Sequence, residues 1–328
     1  MLRYLVILFF IFSGCKKEDP NAVWIYTSLY KDTIADIKPK LEKEFPELKF
    51  YFFQAGSEEI AAKVNAETLA GGSMADILIS SDRFWYEELA TFKKLHPLNF
   101  KRLKDMPETL RHPDGLYHTL SIPVMVMAYN GEVISPEQAP KTFKEMAEER
   151  WNKKLSTGSP LASGTNFTTV AFLSKRYGWD FFEKLQHNGT ISQGGNSAVV
   201  RRIQSLERPV GWVLLENLLR FQGKDPRLKI VYPADGVVMQ NNVLAITKKK
   251  KGRKNAERVA EWLFSKPGQE AMVRSYMYSP FEDIAPPKGA PPFKIIKEKA
   301  FPWSPDFVNY VVENRETIKE KFTEIMFN

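Results

Sequence analysis

The sequence is poor in the residues that build metal and disulfide sites. Its 328 residues include one cysteine and four histidines, His96, His112, His118 and His187, none in HxxxH spacing. A single cysteine excludes an intramolecular disulfide framework and any zinc or iron–sulfur site built on several cysteines. A metalloenzyme with histidine and cysteine ligands is therefore not expected.

The motifs that mark common enzyme classes are also missing. The chain has no GxSxG, no GxxxxGK[ST], no HExxH and no GxGxxG after a predicted strand. His118 or His187 would have to serve a Ser-His-Asp arrangement without any supporting motif. We therefore expect a protein that is not an enzyme and that uses no cofactor.

The apolar run at the start of the chain is too short to cross a membrane. Arg3 precedes eight apolar residues at 5–12, whereas a membrane-spanning helix needs about 20. Ser13, Gly14 and Cys15 complete a signal-peptide layout. These residues resemble the lipobox of bacterial lipoproteins, with Phe12 where that motif prefers Leu. The alternative is an ordinary signal peptide, but the position of the only cysteine favours lipidation of Cys15.

Basic residues moderately outnumber acidic ones, by 47 to 39. Loss of residues 1–14 would remove only Arg3, so the mature chain keeps a net charge of +7. Such a charge suits nucleic acid, an anionic membrane or an anionic small ligand. Export argues against nucleic acid as a partner. The densest basic run, 248–254, is either a solvated turn between a strand and a helix, which we favour, or a docking patch.

From residue 22 onward, short apolar runs alternate with helical patterns, as is typical of an α/β protein. Strands at 23–26, 48–53 and 77–79, with helices between them, predict a βαβαβ lobe. The long apolar stretch 122–130 is expected to cross into a second lobe, and 236–246 to return. Two lobes joined by two strands enclose a cleft, which is the default small-ligand site.

Hydroxyl-rich loops follow the predicted strands of both lobes. In the first lobe these loops contain Thr27, Ser28, Ser57, Ser80 and Ser81, and in the second Ser163, Gly164, Thr165, Asn166, Asn196 and Ser197. Those of the second lobe stand at predicted helix starts, where backbone N–H groups and a partial positive charge suit a phosphate, phosphonate or carboxylate. Any one loop alone is explained as a helix N-cap. Together they favour a shared anion site.

Several stretches carry a family resemblance. Residues 75–78 read ADIL, and 255–269 end in a WLFSKPGQ motif. The stretch 159–177 has a Ser-Gly-Thr helix start, which is followed by Arg-Tyr-Gly at 176–178. In these stretches the chain resembles the periplasmic solute-binding proteins of ABC importers, in the cluster of ferric-ion, aminoethylphosphonate and sugar-phosphate binders. The resemblance implies a two-lobed, type II periplasmic binding fold. Each lobe would be a central mixed sheet flanked by helices, and two crossing strands would form the hinge.

The resemblance also implies a domain organisation and partners. The expected parts are a lipoprotein signal peptide at 1–14, a lipidated linker at 15–21, a first lobe at 22–123 and 235–284, and a second lobe at 124–234 and 285–328. The protein would be a monomer in the periplasm or cell envelope, held on the membrane by the lipid on Cys15. It would bind a small anionic ligand and deliver it to an ABC permease in the inner membrane.

The ligand class depends on a few positions. Ferric-ion binders that this chain resembles carry a tyrosine pair after a strand similar to 210–213, and here 213–219 has no tyrosine. Iron therefore stays the alternative, with Tyr30, Tyr129 and Glu216 as its ligands.

Similarity to organophosphate binders instead implies that Ser28, Ser80, Ser163 and Thr165 hold phosphoryl oxygens, while Glu216 and Asn217 meet hydroxyls or an ammonium. Glu216 is equally explained as an exposed helix residue, and Arg83 is expected on the surface of its helix. A third hypothesis is a ligand-sensing or docking protein that retains the fold.

Overall fold

The computed structural model describes residues 19–249 and 252–328. The predicted signal peptide, Cys15 and residues 16–18 of the linker lie outside the described residues, as do Lys250 and Lys251. In the described ranges no helix is both long enough and apolar enough to cross a bilayer.

Twelve strands and eleven α-helices make up the described fold, with short 3₁₀ turns between some of them. The strands are β1 (Ala22–Thr27), β2 (Lys49–Gln54), β3 (Ile77–Ser80), β4 (Leu95–His96), β5 (His118–Ser121), β6 (Val124–Asn130), β7 (Leu155–Thr157), β8 (Ile191–Ser192), β9 (Val210–Leu214), β10 (Leu228–Val231), β11 (Val238–Met239) and β12 (Asn242–Thr247). The helices are α1 (Lys31–Glu44), α2 (Ser57–Leu69), α3 (Arg83–Thr91), α4 (Gly164–Tyr177), α5 (Asp180–His187), α6 (Asn196–Gln204), α7 (Leu215–Gln222), α8 (Arg253–Phe264), α9 (Lys266–Arg274), α10 (Phe293–Glu298) and α11 (Pro305–Phe327).

The first lobe is built on a mixed sheet with the order β2–β1–β3–β12–β4, and β5 also pairs with β12. β1, β2 and β3 are parallel, as the predicted βαβαβ unit requires, whereas β12 is antiparallel to β3. Alternate residues of β1 enter two cores because side chains of a strand alternate between faces. Ile25 packs with α1, α8 and α9 on one face, and Tyr26 packs with α2 and α3 on the other.

The second lobe is built on a mixed sheet with the order β10–β6–β9–β7–β8, and β11 also pairs with β6. Trp212 of β9 faces a core formed with α4, α5 and α11, whereas its neighbour Val213 faces α6 and α7. Two 3₁₀ turns, Lys144–Ala147 and Glu149–Trp151, precede β7 in this lobe.

The chain crosses between the sheets twice. The predicted strand 122–130 divides at Pro123, because proline has no N–H to donate to a ladder. β5 before it pairs in the first sheet and β6 after it in the second. The return lies between β11 and β12, where the Gln240 N–H donates to the Pro123 carbonyl at 2.8 Å. The lobe boundary predicted at 234 precedes this return, since Val238 and Met239 still pair with β6. The lobe limits otherwise stay a prediction.

Candidate functional site

A closed cleft of about 180 Å³ lies where the carboxyl ends of strands from both sheets meet. Loops after β1, β2 and β3 form one wall, and loops after β7, β8 and β9 form the other. Nine residues singled out from the sequence line this cleft, namely Ser28, Tyr30, Ser57, Ser81, Ser163, Thr165, Asn196, Ser197 and Glu216.

The other four predicted site residues do not line the cleft. The Thr27 hydroxyl accepts a hydrogen bond from the Leu29 N–H at 3.0 Å, and the Ser80 hydroxyl donates to that of Tyr86 at 3.3 Å. Gly164 packs against Asp82, and Asn166 is fully buried beside Asn196. These four residues therefore support the loops from behind.

Five helices begin at the cleft. The N-cap residues of α1, α2, α4, α6 and α7 all line it, and none makes a side-chain capping hydrogen bond: Tyr30, Gly56, Ser163, Gly195 and Leu214. By contrast, the Asp82 carboxylate caps α3 by accepting from the Trp85 N–H at 3.3 Å. Five helix N-termini without a side-chain N-cap give the cleft a positive potential. Since no lysine or arginine of the described chain lines it, this potential comes from backbone dipoles.

The hydroxyl groups of the cleft are held in pairs. Ser57 and Ser81 lie 2.8 Å apart through their hydroxyl oxygens, and those of Ser163 and Thr165 are 2.9 Å apart. The Asn196 amide donates to the Thr165 hydroxyl at 3.1 Å. α4 begins at Gly164, which makes Ser163 its N-cap and places Thr165 in its first turn. This cleft can offer hydroxyl and backbone donors to an oxyanion.

Glu216 is the acidic residue of the cleft. It is only 1% exposed, so the interpretation of this residue as an exposed helix position is wrong. Neither carboxyl oxygen has a hydrogen-bond partner within normal geometry. Burial raises the pKa of Glu216 from its ordinary 4.5 to about 8, although nearby backbone N–H groups and Arg220 act in the opposite direction. At neutral pH the cleft therefore holds a neutral carboxylic acid, which can donate one hydrogen bond and accept others.

The tyrosines considered as metal ligands do not come together. The Tyr30 hydroxyl donates to the Asn217 side-chain oxygen at 2.6 Å, and burial holds the pKa of Tyr30 well above its usual range. Tyr129 lies within β6 in the core of the second lobe and does not line the cleft. Among residues 19–249 and 252–328, no group of three or more His, Cys, Asp and Glu side chains could hold a metal ion.

The two lobes touch on both sides of the cleft. On one side the Arg220 guanidinium forms an ion pair with Asp32 at 3.1 Å and lies over the Tyr30 ring, 4.3 Å from its centre. On the other, Arg315 of α11 forms ion pairs with Glu58 and with the fully buried Asp82. These contacts hold the cleft in a closed form.

Arg83 lies outside the cleft, but the expected surface position is wrong, because its side chain is only 14% exposed. Its guanidinium donates to the Thr109 carbonyl at 3.1 Å and lies 5.9 Å from the centre of the Tyr117 ring. It therefore adds no charge to the cleft.

Some apolar residues of the cleft, and residues where the chain crosses between the lobes, were not predicted from the sequence. Pro123, Leu214, Asn242 and Met277 all line it. Pro123 and Asn242 belong to the two crossings, and the proline inside a predicted strand was the one signal that could have located them. Nothing in the pattern around Met277 marks it as part of a site.

Residues 72–306 match the family model described as bacterial extracellular solute-binding protein. The chain is 24% identical over 280 residues to iron uptake protein A1 of Synechocystis sp., covering 76% of this chain and 73% of that protein.

Two solved structures are similar across nearly the whole chain. The substrate-binding protein of an ABC transporter from Agrobacterium tumefaciens has a TM-score of 0.84 at 20% identity, covering 95% of this chain and 96% of that one. The periplasmic binding protein AfuA from Actinobacillus pleuropneumoniae, with exogenous fructose-6-phosphate bound, has a TM-score of 0.81 at 18% identity, covering 93% and 98%. These likenesses confirm the predicted two-lobed type II periplasmic binding fold. The chain belongs to the bacterial extracellular solute-binding proteins that serve ABC importers.

Proposed function

We propose that this extracellular solute-binding protein captures a small organic anion with a phosphate or phosphonate group in the interlobe cleft and delivers it to its permease. The main support for this proposal is that five helices begin at one cleft, none of them with a side-chain cap, and that serine and threonine hydroxyls line this cleft. Helix N-termini bind anions without a counter-charge because their N–H groups and dipoles both favour negative charge. The phosphoryl group lies against these N–H groups, with Ser163 and Thr165 among its donors.

In this proposal Glu216 binds the part of the ligand that lies outside the phosphoryl group. A neutral carboxylic acid donates one hydrogen bond and accepts others, which matches a hydroxyl group of a sugar or glycerate. An ionised Glu216 would repel the anion, so the raised pKa of this residue is compatible with the bound charge. The cleft volume of about 180 Å³ is below the range of drug-sized ligand pockets and favours a compact molecule.

The proposed setting is the cell envelope. A lipid on Cys15 would hold the monomer on the membrane, close to the permease that receives the ligand. Nucleic acid has no part in this function, and the protein performs no reaction on its cargo.

Ferric ion is the second candidate cargo. The support for it is the similarity to iron uptake protein A1 of Synechocystis sp. and the presence of Tyr30 and Glu216 in one cleft. Fe(III) prefers anionic phenolate oxygen, and a single tyrosine lines this cleft. Binding through Tyr30 would produce a visible phenolate-to-iron band when ferric citrate is added.

The double variant Ser163→Ala/Thr165→Ala tests the organophosphate proposal. Isothermal titration would use glucose 6-phosphate, 3-phosphoglycerate, 2-aminoethylphosphonate and inorganic phosphate as probes against protein spanning residues 16–328. Each lost hydrogen bond to a charged oxygen costs about 1.5–3 kcal/mol, so the probe that binds the parent protein should bind at least about 100-fold more weakly.

The matched control is Ser205→Ala/Thr323→Ala, whose hydroxyls bond to carbonyls of their own helices, at Arg202 and Lys319. This control should leave the affinity unchanged. Equal affinity of the Ser163/Thr165 variant and the parent protein would remove this helix start from the site.

A further inference from the structure

We propose that the end of the first lobe opposite the cleft is a docking face for an anionic lipid bilayer, an inference that rests on the lipidation proposed at Cys15. This surface, called the lysine face below, is made of exposed lysines and exposed apolar side chains. Its members are Leu69, Met74, Phe92, Lys93, Lys94, Lys248 and Lys254.

Three parts of the chain contribute to the lysine face, and hydrogen bonds join them there. α2 and α3 begin near the cleft and end at Leu69 and Thr91, at the far edge of the sheet. β12 runs antiparallel to β3 and so carries the chain to the same edge. There the Lys248 N–H donates to the Lys94 carbonyl at 2.7 Å, and the Lys249 ammonium donates to the Met74 carbonyl at 2.7 Å.

The apolar members of the lysine face are unusually exposed. Leu69 is 90% exposed, Phe92 63% and Met74 50%. Phe92 precedes Lys93, whose φ of 54° lies in the left-handed region, so the chain reverses sharply at this point. Large apolar side chains beside lysines are the combination that enters the boundary between headgroups and acyl chains.

The charges of the lysine face are largely uncompensated. Lys249 and Arg253, next to the face, form ion pairs with Asp76 at 2.8 Å and Glu257 at 2.7 Å. In the part of the chain that the structure describes, Lys93, Lys94, Lys248 and Lys254 are exposed and form no ion pair. Such a cluster is attracted to anionic headgroups.

The segment that would connect a lipid on Cys15 to the folded protein leads to the lysine face. The Asn255 side chain donates to the Pro20 carbonyl at 3.0 Å, which places Pro20 beside the start of α8 and next to Lys254. Five residues carry the chain from Cys15 to Pro20, and an extended chain spans at most about 18 Å over that length. A lipid on Cys15 therefore keeps the lysine face close to the bilayer.

Vesicle sedimentation tests this docking with unlipidated protein, residues 16–328. The protein should sediment with phosphatidylglycerol vesicles at low salt, stay in solution with pure phosphatidylcholine vesicles, and be released by high salt. Each lysine near an anionic surface contributes about fivefold to binding, so Lys94→Gln/Lys248→Gln/Lys254→Gln should bind roughly 100-fold more weakly.

The control replaces three lysines of the second lobe that are equally exposed, Lys154, Lys184 and Lys224, with Gln. It removes the same charge and should retain most of the binding. Equal losses in the two triple variants, or no binding of the parent protein to phosphatidylglycerol, would overturn the proposal and would favour a protein partner for this face.

A second measurement reports on the apolar part of the face. Because Cys15 is the only cysteine, residues 16–328 contain none, and Phe92→Cys can be labelled uniquely with a polarity-sensitive dye. Its emission should shift to the blue with anionic vesicles, whereas a label at Val133→Cys, 51% exposed in the second lobe, should not respond. No shift at position 92 would contradict insertion. Both assays omit the cleft ligand, so their failure is distinguishable from failure of the organophosphate proposal.

Discussion

Because the carboxyl group of Glu216 is buried, the free energy of unfolding of the protein without added ligand should fall as pH rises. Its pKa is about 8 in the folded protein and near its ordinary 4.5 when unfolded. Between these values the folded state holds a proton that the unfolded state has released, so higher pH favours unfolding. The stability present below about pH 4.5 is lost progressively up to about pH 8. One pKa unit corresponds to about 1.4 kcal/mol, so the full loss is on the order of 3–5 kcal/mol.

The variant Glu216→Gln isolates this effect, because glutamine does not titrate. Urea unfolding followed by circular dichroism would give the free energy of unfolding of parent and variant at pH 5 and pH 8. The free energy of unfolding of the variant minus that of the parent should increase by ~3–5 kcal/mol between pH 5 and pH 8. Glu59→Gln, at an exposed position on α2, serves as the control with a constant difference. A difference for Glu216→Gln that does not change with pH would refute the reasoning.

Two further variants test the closed cleft by titration with the organophosphate that binds the parent protein. A Cβ at Gly56 would lie 2.7 Å from the Ala162 carbonyl oxygen across the cleft, so Gly56→Ala should weaken binding about tenfold or more by opposing closure. Gly223→Ala, with nothing within 4 Å, should bind normally, and equal affinities would refute this interlobe contact. Tyr30→Phe removes the bond to Asn217 and should weaken binding by about 1–2 kcal/mol. If the parent protein binds ferric ion and no organophosphate, and Tyr30→Phe abolishes the ferric binding, Tyr30 would instead be identified as a metal ligand.

Much of the fold follows from short-range patterns. β1, β2 and β3 are short apolar runs, and α1 and α2 place apolar residues at helical spacing, so the βαβαβ unit of the first lobe is predicted from the sequence. The short strands β4 and β5 of the same sheet were not predicted. The predicted strand 122–130 was less accurate. Its composition is apolar throughout, and the division at Pro123 depends on pairing with two sheets formed by distant segments.

The site was only partly predictable, because a loop position does not fix a side-chain direction. Thr27 and Ser28 are neighbours at the end of β1, yet only Ser28 lines the cleft, since successive side chains point to opposite sides. Glu216 illustrates a second limit. Its place in a helix is evident from the sequence, but its burial arises from tertiary packing that also brings it close to Tyr30 of the other lobe, and no local pattern contains this packing.

The most direct test of the central claim is thermal unfolding of residues 16–328 with sugar phosphates, phosphoglycerates, 2-aminoethylphosphonate, inorganic phosphate and ferric citrate. A ligand present at 100 times its dissociation constant adds about 2.7 kcal/mol to the free energy of unfolding, which raises the melting temperature by several degrees. The account predicts this shift with an organic phosphate or phosphonate. A shift with ferric citrate alone, accompanied by a visible phenolate band, would contradict it.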